Sequence, residues 1–197
     1  LQALYSNRFV FHSPEFLAEK TAAYDVAHPT RNIVGYPVDN EEYHKRAQQV
    51  IDVLPDAPVN IVCTSREAEF IKYGSNSFLA LKVIYANVLY DLAKNAGSDW
   101  DTIKQGIGSD PRIGTSHLDV IHASWILEHK GRGAGGHCFI KDFAGLVEYI
   151  QNAGTDTLWA AFLSAAQEKN IQLLRDTQKD LDLLEWVHGS EKIQSLS

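Results

Sequence analysis

The chain has 197 residues, of which 45% are hydrophobic and 22% charged, and its formal net charge is -7. That balance suits a folded globular protein and argues against disorder. The acidic excess, with no Lys/Arg cluster, would repel a phosphate backbone and argues against nucleic acid as a partner.

No apolar run approaches the roughly 20 residues of a membrane span, and LQALYSNRFVFHSPEF lacks the basic start and apolar stretch of a signal peptide. Two cysteines, Cys63 and Cys138, do not make a secreted disulfide framework, so a cytoplasmic protein is expected. The sequence opens on Leu1 and holds no methionine, from which an excised piece of a longer chain is expected.

Residues 8–12, 31–36 and 59–63 are short apolar or β-branched runs that predict strands. SPEFLAEKTAAYDVA between the first two predicts a helix with Ser13 as N-cap and Pro14 at its first position. A second helical pattern covers 40–53. Strand and helix alternating in this way is the grammar of a parallel α/β sheet. Residues 1–64 therefore read as the C-terminal part of a Rossmann-like domain, and 65–197 as a mostly helical one.

Thr64 and Glu67 form a capping-box pair. After it Ile71, Phe78, Leu81, Tyr85, Val88, Leu89 and Leu92 recur at helical spacing until Gly97. The resulting helix, 65–96, would be about 45 Å long, longer than a small domain needs internally, which suggests pairing between subunits. Ser98 with Asp101 predicts the cap of a short helix. Further helical patterns cover 115–129, 141–153 and 156–187.

The densest chemistry lies in GRGAGGHCFIKDF, 131–143. Gly131, Gly133 and Gly136 formally satisfy the dinucleotide pattern G-x-G-x-x-G, but the stretch before them reads as helical where that pattern needs a strand. The better reading is a flexible backbone that approaches a ligand and delivers Cys138 just ahead of a helix beginning near Ile140. The helix dipole and Lys141 would favour its thiolate; the alternative is an inert buried cysteine.

Lys72 and Asn76 are four apart, on one helix face, where they could stabilise an oxyanion or form an ordinary solvated face. Glu15 and Glu19 share a face likewise, as a base and a ribose acceptor or simply as carboxylates favouring a helix dipole. His117, His122, His129 and His137 lack a metal-binding pattern, so no metal is expected.

In chain order, SPEFLAEKTA followed by TRNIVG, then AEFIKYGSNSFLALK, then DPRIG, then GAGGHCFIKD resemble four motifs of the UDP-glucose/GDP-mannose dehydrogenase family. Lys20 and Ile140 depart from its usual glycine and proline. The stretch from Arg112 to Cys138 is longer than in the common UDP-glucose enzymes. The resemblance implies oxidation of a nucleotide sugar's primary alcohol to a carboxylate with NAD. Cys138 would be the nucleophile, with Lys72, Asn76, Asp142 and Glu15 as its catalytic companions.

Glu19 and Lys141 would lie near the cofactor. Phe16, Leu17, Gly133, Gly135 and Gly136 would meet substrate, and Arg112 would reach the neighbouring subunit's substrate. The long helix would make a homodimer. The family's own cofactor fingerprint and its C-terminal α/β domain are not found in this sequence, so the chain is expected to be inactive alone. The rival reading is a helical dimerisation module whose cysteine has no catalytic use.

Overall fold

The computed structural model describes residues 2–5, 7–124, 129–154, 156–190 and 193, apart from the side chain of Glu19. They fall into two compact units, Leu1–Gly74 and Ser75–Ser197.

The first unit is built on two parallel strands. β1 (Arg31–Tyr36) pairs with β2 (Val59–Thr64) in the register Arg31↔Val59 through Tyr36↔Thr64. Four consecutive buried residues in β1 show that both its faces are covered, as parallel strands require. On one face Val34 packs with Ala47 and Ile51 of α2 (Glu41–Ile51), a helix capped by Asn40 through the amide of Tyr43. On the other, Ile33, Cys63 and Ala68 pack with Phe16 and Ile71.

Two expectations for this unit are corrected. Residues 8–12 form no strand: His12 and Gly35 exchange backbone hydrogen bonds of 2.9 and 2.7 Å as an isolated antiparallel bridge. Ser13 caps nothing, because the chain takes no regular secondary structure over 13–18, makes a 3₁₀ turn at Glu19–Thr21, and is α-helical only over α1 (Ala22–Ala27). The late start has a visible cause: Asp25 Oδ2 accepts from the amide of Ala18 and the hydroxyl of Thr21, fixing the turn ahead of the helix.

α3 (Ser65–Asn95) is the long helix. Its capping box is formed as read, with Thr64 N–H donating to Glu67 Oε2 and Glu67 N–H to Thr64 Oγ1. Gly97, at φ 67°, follows its end.

In the second unit α4 (Trp100–Gly108) is capped by Asp99, one residue later than read. Instead of a helix over 115–129 there are turns and a short antiparallel pair, β3 (His122–Ala123) with β4 (Lys130–Gly131). Residues 125–128 lie outside the described ones. A left-handed His117, φ 64°, and an ion pair from Lys104 to Asp119 fix those turns against a helical path.

α5 (Gly136–Asn152) starts four residues before Ile140, so Cys138 lies inside its first turn rather than ahead of it. The expected helix 156–187 is two, α6 (Thr157–Asp176) and α7 (Leu181–His188), broken where Gln178 and Asp180 take left-handed backbone. Val83 and Ile84 of α3, Phe143 and Val147 of α5 and Leu163 of α6 form one core. Ile140, Ile171, Leu174, Leu183 and Leu184 form a second. The architecture is a fragment of parallel α/β sheet followed by a helical domain with one long helix.

Candidate active site

α5 carries the cysteine. Gly135 is its N-cap, and Cys138 stands exposed at the third helical position. Asp142 follows one turn later on the same helix face, and it is only 1% exposed. A carboxylate buried to that degree needs partners. Asn76 of α3 donates its side-chain amide to one oxygen, and the ammonium of Lys141 lies on the other. The second unit thus joins three of the expected residues directly, Asn76, Lys141 and Asp142, and places Cys138 on the next turn of helix.

The glycine loop ahead of Cys138 is strapped down rather than flexible, which corrects the expectation of a pliable hinge. The amide of Arg132 donates to Thr177 Oγ1, that of Ala134 to Asn170 Oδ1, and that of Gly136 to Asp180 Oδ2 at 2.8 Å. Lys179 Nζ donates to the carbonyl of Gly133 at 3.0 Å. The glycines are there because backbone packs against side chains: a Cβ on Gly135 would stand 2.1 Å from Asp180 Oδ2 and 2.5 Å from Ser124 Oγ. With alternate amides already taken, and only a two-residue antiparallel strand before it, the G-x-G-x-x-G of 131–136 is no dinucleotide cradle.

Lys179 is fully buried, and its ammonium also meets His122 Nε2 at 3.0 Å. Burial pushes Lys179 down to about 8. Burial, with Lys179 alongside, pushes His122 down to about 4. The pair therefore sits at neutral pH as a charged lysine and a neutral imidazole. Burial, then Lys82, likewise holds His117 below its usual range.

Arg112 is exposed and pairs with Asp110 at 2.6 Å, which holds that carboxyl below the usual range. It borders a mostly apolar groove of about 330 Å³ lined by Phe78, Tyr85, Trp100, Ile107 and Leu118.

In the first unit Lys72 Nζ donates to the Glu15 carbonyl at 2.6 Å and lies 5.5 Å from the Phe16 ring, which Arg31 also covers at 3.8 Å. Leu17 is half-buried beside it in sequence, and Glu15 is exposed. Because residues 13–18 are not helical, Glu15 and Glu19 do not share a helix face as read, and the side chain of Glu19 is outside the described residues. Among the described residues no group of three or more His, Cys, Asp or Glu could hold a metal ion. None of the described helices is long and apolar enough to cross a membrane.

The sequence reading missed Asn170, Thr177, Lys179 and Asp180, and weighed His122 only as a metal ligand. No helical signal marks Lys179, which at a 3.6-residue period falls outside the stripe of Leu173, Leu174, Leu183 and Leu184, as a solvated lysine would.

Comparison with known proteins decides what this arrangement is part of. Residues 66–172 match the model of the UDP-glucose/GDP-mannose dehydrogenase family, central domain. The chain belongs to the UDP-glucose/GDP-mannose dehydrogenase family. Within it, the chain is similar to the UDP-glucose 6-dehydrogenase of Rickettsia bellii, 38% identical over 149 residues that are 75% of this chain and 32% of that protein. It is likewise similar to that of Pseudomonas aeruginosa, 31% identical over 90% of this chain and 37% of the other.

The solved UDP-glucose dehydrogenase of Pyrobaculum islandicum superposes with a TM-score of 0.65 at 32% identity, over 85% of this chain and 37% of that one. The chain spans about a third of the length of the curated family members it matches.

Proposed function

We propose that this chain carries the cysteine-bearing portion of a nucleotide-sugar dehydrogenase of the UDP-glucose 6-dehydrogenase kind, with NAD as hydride acceptor. The observation that supports it most is Cys138, exposed in the first turn of α5, one turn before a buried Asp142 that Asn76 holds.

The sugar's primary alcohol loses one hydride to NAD and one proton, giving an aldehyde. Cys138 Sγ adds to that carbonyl carbon, and the oxygen takes a proton, leaving a thiohemiacetal. Loss of a second hydride, to a second molecule of NAD, and of that proton gives a thioester. Water then adds, the C–S bond breaks, and carboxylate and thiol are released. Asn76, as an amide donor, suits the oxygen that gains charge in the addition. Asp142 suits the orientation of the hydrolytic water, with Glu15 as the other carboxylate for that step.

Lys72 is proposed as a second stabiliser of negative charge, Lys141 and Glu19 as cofactor neighbours, and Phe16, Leu17, Gly133 and Gly135 as substrate contacts. Gly136 is proposed as a further contact through its Cα face, since its amide is on Asp180 and its carbonyl accepts within α5. The reaction itself suits a cytoplasmic enzyme. Homodimerisation through α3 is proposed as well, supported by the exposed row Phe78, Tyr85 and Leu92. Arg112 would then serve the substrate of the other copy.

The test is Cys138→Ser in a full-length version of the enzyme, assayed with UDP-glucose and NAD for carboxylate. Carboxylate formation should stop; unchanged turnover removes the nucleophile assignment.

A further inference from the structure

We propose that Lys179 and Asp180 are positioning residues for Cys138: the turn 177–180 fixes where α5 begins, and so where the thiol stands. The inference rests on the reading of Cys138 as the reactive thiol and adds to it a part remote in sequence.

Four observations carry it. First, the turn holds the loop at three points, Thr177 Oγ1 on the amide of Arg132, Lys179 Nζ on the carbonyl of Gly133, and Asp180 Oδ2 on the amide of Gly136. Gly136 is the first residue of α5, whose N–H has no partner within the helix, so Asp180 caps the helix from 44 residues away.

Second, Lys179 is a fully buried lysine, a residue type that is almost never buried unless paired, and its pairing is to the loop and to His122. Third, two non-glycine residues of the turn, Gln178 and Asp180, hold left-handed backbone at φ 55° and 52°. Such conformations cost energy and persist only where surrounding contacts over-determine them. Fourth, the fit excludes side-chain atoms on the loop. A Cβ on Gly131 would stand 2.6 Å from Thr177 Oγ1 and 2.8 Å from Lys179 Cβ, and one on Gly135 would overlap Asp180.

The consequence for chemistry is specific. A sequence reading starts α5 near Ile140, which leaves the cysteine in a loop; the Asp180 cap and the Lys179 anchor draw the start back to Gly136. Cys138 then sits in the first turn of a helix, at the end where the dipole is positive. Releasing the cap lets the first turn fray and takes the sulfur out of that position.

Asp180→Gly is the informative variant, because glycine keeps the left-handed backbone while deleting the carboxylate. Asp180→Asn keeps an oxygen acceptor and also tolerates that backbone. The rate of Cys138 alkylation by iodoacetamide is measured on the whole chain at pH 7, with Cys138 read separately from Cys63 by mass spectrometry. Asp180→Gly should react two- to fivefold more slowly, the order expected from losing a helix-terminus field, and Asp180→Asn should return to the parent rate. Lys179→Met, which fills the same space without the hydrogen bonds, should slow the reaction as well, and serves if Asp180→Gly does not fold.

Equal or faster alkylation in folded Asp180→Gly or Lys179→Met, or no recovery with Asn, overturns the proposal. The readout is the thiol and not dehydrogenation. A Cys138→Ser enzyme that still made carboxylate would remove the nucleophile reading and leave this result standing.

Discussion

Asn76 and Asp142 are 66 residues apart in sequence, and the amide of one donates to the buried carboxylate of the other at 2.5 Å. A charge with 1% exposure has given up its water, so its remaining donors, Asn76 and the Lys141 ammonium, decide whether the fold tolerates it.

The energetic consequence is asymmetric. Asp142→Ala leaves the Asn76 amide without its acceptor and opens a small cavity, for an expected loss of about 3 kcal/mol. Asp142→Asn keeps an acceptor oxygen and the volume, so about 1 kcal/mol is expected. Urea unfolding followed by circular dichroism measures both. Equal losses for the two would mean that the charge, which both remove, matters more than the acceptor and the space, which only alanine removes.

A pH dependence follows from the Lys179–His122 pair. Lys179 titrates near 8 when folded, and its ordinary value is 10.5. The unfolded chain therefore holds more protons between these values, and stability contributed by this group rises as pH increases from 8 toward 10.5. Only Asp180 opposes the depression. His122 titrates near 4 against an ordinary 6.5, with burial, then Lys179 and His117, lowering it and Asp119 raising it. Its contribution is present above 6.5 and is lost as pH falls toward 4. Comparing unfolding midpoints of Lys179→Met and the parent isolates the alkaline slope, which the variant should lack. His122→Gln should flatten the acid side, and parallel curves for variant and parent would refute the assignment.

How much of this could be read in advance depends on how local its causes are. β1, α2, β2 and α3 emerged close to their observed limits because their signals are neighbours in sequence: Asn40 before Tyr43, Thr64 with Glu67, Gly97 after Asn95. The loop residues were legible as a motif but not as a geometry. Four glycines in a row of six suggested freedom, whereas Asn170, Thr177, Lys179 and Asp180 remove it, and those side chains come from 36 to 46 residues away. The break between α6 and α7 carries no Gly or Pro to announce it; of its left-handed residues, Asp180 accepts from the distant amide of Gly136, while Gln178 bonds locally to the Arg175 carbonyl. The opening segment misled in the opposite way, since Ser13-Pro14 is a sound local start signal that Asp25 overrides.

The exposed row on α3 gives a prediction about assembly. Phe78, Tyr85 and Leu92 are 69%, 63% and 59% exposed and recur every seven residues, the spacing of helices that pack along one another. At micromolar concentration sedimentation should give a dimer, and Phe78→Glu with Tyr85→Glu should give a monomer with unchanged helical content. A monomeric parent chain would end the dimer proposal.

Gly35 and Gly74 test the packing of the first unit in opposite directions. Gly35 lies in β1 opposite Cys63, bridges to His12, and accepts from Ser65 Oγ at 3.2 Å. A Cβ there would stand 2.8 Å from Ser65 Cα and 2.9 Å from Ala68 Cβ. Backbone at the start of a long capped helix cannot move aside as a flexible side chain does, so Gly35→Ala should cost about 1–3 kcal/mol or more. Gly74 lies within α3 with nothing inside 4 Å of its would-be Cβ. There the methyl meets no obstacle, and alanine restricts the unfolded chain, so Gly74→Ala should stabilise by about 0.5–1 kcal/mol. Urea midpoints of the two variants should therefore move apart from the parent's, one down and one up. A destabilised Gly74→Ala would mean that its side of α3 is covered by something that the chain alone does not supply.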